Sequence, residues 1–531
     1  MAKLSLGNVA NLLGSPTAAA TVVNQNSDLI EQAFDNTLSR DGATPNQMLS
    51  DFDMNHNDVL NVGTLQADDI TVDDDNLTGF LERVLDAVEI AEAAAELAMD
   101  TAAAVVSNVP TKVIAQAAGY APGISYLRTA GFNTVGDLGA GLYTRVASPP
   151  ILGFQDTNLQ YWELKADEIL PEQAGVVPND NSKAAANKVA LQKAFDTGLI
   201  VAPTSKTIYS DCGLVLHQGG IHGKGKGSTK FITGDTSSAN FLTVDGNVPV
   251  ELCGAFIQSV NGKTQGAGIQ LTCAGGENPY STLRGLWITG FPTGFHGYRA
   301  LAYTLDDIVI TDYDIATIIE NENHPDGGDS CITNSRFITS RPTGNRIGIL
   351  QYNSGGLKVN NLKINGGNIG YQMSAKGSVA MPTQSTSILL MTNCSFEGQD
   401  LANIKMDRDP SANGSIRFFH VSLVNNQLNM ASSILQGSNI KIGANLNLQC
   451  VNISDNLLQV GQHASSSGMD IETAIYATIS NNSMFAASGT HTGIALGAGV
   501  YGKLDSNTYG SGISPTYSAV TPGNITLVGG G

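Results

Sequence analysis

Carboxylates are the side chains of this sequence whose crowding suggests chemistry. Glu320-Asn321-Glu322-Asn323-His324-Pro325-Asp326-Gly327-Gly328-Asp329-Ser330 is the densest acidic stretch. Like charges packed this closely raise some of the pKa values, which suits a general acid. Hydrolysis of a glycosidic bond needs two carboxyl groups about 5 to 9.5 Å apart, one acid and one base or nucleophile. Elimination beside a uronate needs a base and a group that neutralises the sugar carboxylate. Asp326 and Asp329 are the candidate catalytic residues, with Glu397 or Glu320 as partner. The competing reading of 320–329 is a solvated acidic turn, to which Gly327-Gly328-Asp329-Ser330 is well suited. Asp407, Arg408 and Asp409 form a second, smaller cluster.

Other chemistries lack their residues. The eight histidines are scattered without zinc spacing, and there is no Asp-x-Asn-x-Asp-Gly calcium loop with a distal Glu. No nucleophile elbow is present. The glycines of Gly136–Gly141 and Gly219–Gly227 do not lead into a helix opened by Lys-Ser/Thr, so neither run reads as a nucleotide cradle. No cofactor and no metal are expected.

Those carboxylates must be held by something, and composition says what. Hydrophobic residues at 42% exclude a disordered chain, while 14% charged residues and 59 glycines favour strands and tight turns. The net charge of −19 repels nucleic acid and anionic lipid. No apolar run approaches the ~20 residues of a membrane span, so no membrane insertion is expected. Six cysteines, Cys212, Cys253, Cys273, Cys331, Cys394 and Cys450, are widely spaced with no CxxC pair, and five or six of them are expected to be small buried hydrophobes.

An internal repeat supplies the scaffold. Segments aligned on Gly285, Asp307, Asn334, Asn361, Asn393, Asn425, Asp455, Asn481 and Ser506 are separated by 22, 27, 27, 32, 32, 30, 26 and 25 residues. Two positions before each stands Leu283, Leu305, Ile332, Val359, Met391, Leu423, Ile453, Ile479 or Leu504. Three positions after stands Ile288, Ile310, Phe337, Ile364, Phe396, Leu428, Leu458, Met484 or Tyr509. Two inward side chains on one straight strand are an even number apart, and these are five apart. A bend must lie between them, occupied by residue types that tolerate the left-handed conformation. Stacked coils would pile the bend Asn residues into a ladder and leave the variable stretches to loop out on one side. Glu397, one past inward Phe396, is expected to project outward two coils from the 320–329 insertion and to face the same groove.

The first 120 residues read differently. Ser27 can cap a short helix through Leu38. Leu77, Leu81, Val84, Val88, Ala91, Ala95, Ala98, Ala102 and Val105 alternate at spacings of four and three, a heptad seam ending before Pro110. An acidic patch (Asp68, Asp69, Asp73, Asp74, Asp75) precedes it, where the helix dipole favours negative charge. A single amphipathic helix is the alternative to a parallel three-stranded bundle. Gly131-Phe132-Asn133-Thr134-Val135-Gly136-Asp137 through Tyr161-Trp162-Glu163-Leu164 reads as a small β module.

Three stretches carry a resemblance. Ser39-Arg40-Asp41-Gly42-Ala43-Thr44-Pro45-Asn46-Gln47-Met48, Asp51-Phe52-Asp53-Met54-Asn55 and Asn57-Asp58-Val59-Leu60-Asn61-Val62 resemble the opening of podophage tail fibres and tailspikes. The Gly131–Leu164 module resembles one that precedes the β-helix in tailspikes. Pro178-Asn179-Asp180-Asn181-Ser182 with the Ala-rich 183–195, then Gly219-Gly220-Ile221-His222-Gly223, resemble the capping helix and first coils of pectate-lyase-like β-helices.

That resemblance implies a mainly β protein: a right-handed parallel β-helix (solenoid) with an N-terminal helical and coiled-coil virion anchor. It divides the chain into 1–75 virion attachment, 76–120 trimeric coiled coil, 121–170 β connector and 171–531 β-helix. It implies a homotrimer that docks through its N-terminus on phage tail or portal-adaptor proteins and binds, or also cleaves, a host surface polysaccharide. The alternative is a non-catalytic receptor-binding or structural tail fibre. A bacterial polysaccharide lyase unconnected with phage fits less well, since Met1-Ala2-Lys3-Leu4-Ser5-Leu6 opens no signal peptide. The expected location is the virion tail, after synthesis in the host cytoplasm.

Overall fold

A computed structural model of the chain describes residues 16–37, 71–72, 75–76, 85, 88, 90, 105–515 and 525–528, apart from 247, 273–279, 301, 321–329, 341–343, 353–355, 375–386, 408–416, 432–435, 445 and 487. Two units separate, 1–95 and 96–531.

In the first unit a helix runs over Pro16–Thr37. Ser27 therefore lies inside the helix and does not cap it. Pro16 opens the helix, where its fixed φ is favourable, and the Ala18-Ala19-Ala20 run carries it forward. Thr71–Val72 pairs antiparallel with Asp75–Asn76. Val88 of the expected seam is helical and exposed, as are Leu85 and Ile90. The seam residues from Leu77 to Val84 and from Ala91 to Ala102 lie outside the described residues.

The second unit begins with a correction. The helix expected to reach Pro110 gives way to a strand at Val105–Val109, which pairs in parallel with Ile124–Thr129. Three β-branched valines in five residues favour that extended backbone. The connector module thus starts at 105 and not at 121. Its five strands are ordered Val105–Val109, Ile124–Thr129, Gly141–Val146, Tyr161–Lys165, Gly153–Gln155. Trp162 is fully buried at its centre, edge-on to Tyr120 at 5.5 Å, with its indole N–H donated to Asp156 at 3.1 Å. Asp137 closes the glycine loop by accepting backbone N–H groups of Phe132, Asn133, Thr134 and Gly139 at 2.8–2.9 Å.

The helix Ala184–Asp196 covers the open start of the solenoid. Gln192 exchanges two hydrogen bonds with the backbone of Val215, and buried Asn187 does the same with Val177 while also donating to the Tyr209 carbonyl. These amides satisfy backbone groups that a bare sheet edge would leave unpaired.

Beyond this cap the chain is a parallel β-helix. Twelve short strands, from Thr207–Tyr209 to Thr508–Tyr509, stack one per coil in a single ladder. The other strands of the coils form a second continuous ladder, and among the described residues every pairing between coils is parallel. The nine expected bends all have φ between 50° and 60°. The apolar residues before and after each bend are buried, except Tyr509, which is partly buried against the core. Gly254, at φ 66°, is a further bend of the same kind between buried Leu252 and Ile257. Of the five described cysteines, all are free thiols, but only Cys212 and Cys394 are buried. The others stand on outward positions of strands.

Candidate functional site

Glu320 ends the strand Ile315–Glu320 and is 6% exposed. Its Oε2 lies 3.2 Å from Nε2 of His296, whose Nδ1 is 3.4 Å from Gln270 Nε2, and Gln270 Oε1 accepts from Asn240 at 2.6 Å. This is a polar column running through four coils, and it ties Glu320 into the wall.

Glu397 projects outward from Ser395–Gln399, in the one-strand-per-coil ladder. Lys363 lies 3.1 Å away, the Ser395 hydroxyl donates at 3.0 Å and Asn365 at 3.4 Å. Burial pushes the Glu397 carboxyl up, but the bonds from Lys363 and Ser395 outweigh it and hold the group below the usual carboxylate range. A general acid needs the opposite shift.

The coil of Glu320 contributes Val309–Thr311 to that ladder, and Ser395–Gln399 follows three steps later. Three coils span roughly 14 Å, and the two carboxylates stand on different faces. The structure therefore does not bring Glu320 and Glu397 into one site, although Ser395–Gln399 does lie two coils beyond the strand Arg336–Ile338 that follows the insertion. Asp326 and Asp329 lie outside the described residues.

The second, smaller acidic cluster has a clearer setting. Asp407 borders a groove of about 540 Å³ that crosses several coils, lined also by Lys405, Lys441, Asp470, Ser438 and Ser467. Register creates it: Lys405 stands beside Lys441 in the next coil, and Lys441 beside Asp470 in the one after. Ile404, Met406, Ile440 and Ile442 fill the core, so the lysines between them must point out. Lys405 pairs with Asp407 at 3.5 Å and Lys441 with Asp470 at 3.6 Å. The Ser438 and Ser467 hydroxyls share a hydrogen bond of 2.7 Å on the groove floor. Asp400, next to the lining residue Leu401, is held above the usual carboxylate range by burial. Arg408 and Asp409 lie outside the described residues.

Chemically the groove offers two ammonium groups to acidic sugars and two partly exposed carboxylates to sugar hydroxyls. Asp407 and Asp470 are offset by two coils and about two residues, roughly 12 Å between Cα atoms. A pair of carboxyl groups flanking a water in an inverting enzyme stands about 6.5 to 9.5 Å apart.

No protein-family model matches this chain, and no curated protein sequence does. Solved structures do. The enzymatically active domain of tailspike protein 2 from bacteriophage CBA120 matches with a TM-score of 0.50 at 10% identity, over 75% of this chain and 57% of that one. Full-length tailspike protein 2 of an Escherichia coli O157:H7 bacteriophage matches at 0.48 and 10% identity, over 74% and 51%. PfbA, a surface adhesin of Streptococcus pneumoniae, matches at 0.46 and 12% identity, over 68% and 93%. At these identities the likeness is one of fold. The chain spans little more than half the length of the first of these structures.

Proposed function

We propose that this chain is a phage tailspike whose β-helix binds, and cleaves, a host surface polysaccharide. The observation that carries the reading is the groove in which Lys405, Lys441 and Asp470 stand in register along the coils, with Asp407 beside Lys405. A cleft that crosses several coils and offers both lysines and carboxylates suits a polymer laid along the stack, since successive coils add further contacts to successive sugars. The fold likeness to a tailspike domain described as enzymatically active supports the same reading. On a molecule of net charge −19, Lys405 and Lys441 offset the two groove aspartates and so lower the repulsion of anionic sugars there.

In this reading 1–75 docks on phage tail or portal-adaptor proteins, the seam following it joins three parallel copies, and the protein resides in the virion tail. Among the described residues no helix is long and apolar enough to cross a membrane. Asp407 and Asp470 are the groove's carboxyl groups for acid–base work, with Asp400 beside its edge at Leu401. Asp326 and Asp329, which follow Glu320 on the insertion, are the alternative pair.

A receptor-binding fibre without turnover is the second reading, favoured by the pairing of both groove carboxylates with lysines. Incubating the full chain with capsule or O-antigen polysaccharide from the host strain separates the two. New reducing ends report hydrolysis, and absorbance of unsaturated uronates reports elimination. Retention of the polymer with neither signal reports binding alone.

A further inference from the structure

Ile221 and Leu252 point into the core of the early coils, so His222, Glu251 and Cys253 face outward together. Parallel register sets His222 directly beside Cys253 in the next coil, and Glu251 two residues before Cys253 on the same face. One ligand atom from each of the three lies within 4.8 Å of the others. Nε2 of His222 is 3.5 Å from Oε2 of Glu251. Tetrahedral bonds of 2.0–2.1 Å place two ligand atoms roughly 3.3 Å apart, so this pair already has a zinc-like spacing. The 4.8 Å limit leaves the thiol at most about 1.3 Å from the spacing a shared zinc ion needs, within the reach of a side-chain rotation.

Two further observations point to a ligand. His222 Nε2 is buried yet makes no hydrogen bond, its approach to Glu251 being misaligned for one. Beside His222 and Glu251 opens a cleft of about 560 Å³, bordered also by Tyr280, Thr282 and Arg284. We propose that His222, Glu251 and Cys253 form a three-ligand site for a borderline-soft divalent cation such as Zn²⁺, with a fourth position open to water in the cleft. A nitrogen, an oxygen and a sulfur donor suit zinc and its neighbours and not calcium or magnesium.

The surroundings set the strength of the site. Arg284 Nη2 lies 3.4 Å from Glu251 Oε1 and competes with a cation for that carboxylate. A bound ion joins the strands Gly220–His222 and Glu251–Cys253 and so raises the stability of the first coils.

Metal-free full chain titrated with Co²⁺ tests this. The expected result is one cobalt per chain, with visible bands of a four-coordinate ion and a thiolate-to-cobalt charge-transfer band, both lost on adding Zn²⁺. Cys253→Ser removes the charge-transfer band, and Cys450→Ser, elsewhere on the helix, does not. His222→Ala weakens binding by at least about tenfold, the cost that even outer-shell partners carry. Arg284→Ala strengthens it. No charge-transfer band in the unaltered chain, or a band that survives Cys253→Ser, overturns the proposal.

Discussion

The side-chain amide of Asn456 donates to Oδ1 of Asn482 in the next coil and to the carbonyl of Leu423, both at 2.9 Å. Its own oxygen accepts from the backbone and side chain of Asn426 at 2.9 and 3.0 Å. Asn426 and Asn482 repeat the pattern and the partly buried Asn507 ends it, so one column satisfies both its side chains and the turn backbone.

Asn456→Ala should therefore lower stability through orphaned buried groups, each worth about 1–3 kcal/mol. Denaturant unfolding, or heat resistance of the assembled protein, measures it. An unchanged midpoint would show that the column is not a stabilising device.

Phe337 and Phe396 are fully buried and sit in one stack with Ile364 between them. Truncation of either to Ala should cost about 3–5 kcal/mol from lost transfer energy and the cavity left behind. In a solenoid the loss is local, and it emerges as aggregation of folding chains or an earlier melting step.

How far the sequence foretold these features follows from what is local. A bend between inward residues five apart is a property of a few consecutive residues, and all nine bends are where the pattern puts them. The ladder was expected at the bend itself. There it is exposed and partial, as in Asn361 to Asn334 and Asn425 to Asn393. The buried column lies one residue later, where the earlier coils carry Leu286, Ile308, Leu362 and Cys394 and so hide it from a repeat alignment. The groove was harder still. Lys405, Lys441 and Asp470 meet only through coil register, and irregular loops between coils obscure that register in the sequence. His222 and Cys253, 31 positions apart in the chain, likewise meet only through coil register.

Asp137 gives a pH dependence with a definite sign. Burial pushes its carboxyl up, but the backbone N–H groups of Thr134, Phe132, Gly139 and Asn133 outweigh this and hold it below its ordinary 3.8. A depressed carboxylate contributes stability above the unfolded pKa and loses it as pH falls through the folded one. The stability gap between the unaltered chain and Asp137→Ala should be full at neutral pH and shrink below about pH 4. A gap that stays constant or widens in acid would contradict the assignment.

Exposed Val88 on a helical stretch, within a heptad seam, predicts parallel association of three chains. Light scattering of the intact chain should return three times 55.4 kDa. Replacing Val88 with Asp should shift the population toward smaller species. A stable monomer of the unaltered chain removes the trimer.

The central claim is that the groove beside Lys405 and Lys441 handles polysaccharide, and one comparison tests it most directly. Purified full chain and the variants Asp407→Asn, Asp470→Asn and Asp400→Asn, with Asp326→Asn, Asp329→Asn and Glu397→Gln beside them, are incubated with host-strain polysaccharide. Polymer retention, reducing ends and uronate absorbance are followed together. The account predicts that at least one groove variant loses turnover by orders of magnitude while still retaining the polymer, and that Glu397→Gln stays active. A chain that neither retains nor cuts the polymer, or one whose groove variants all match the unaltered protein, would contradict it.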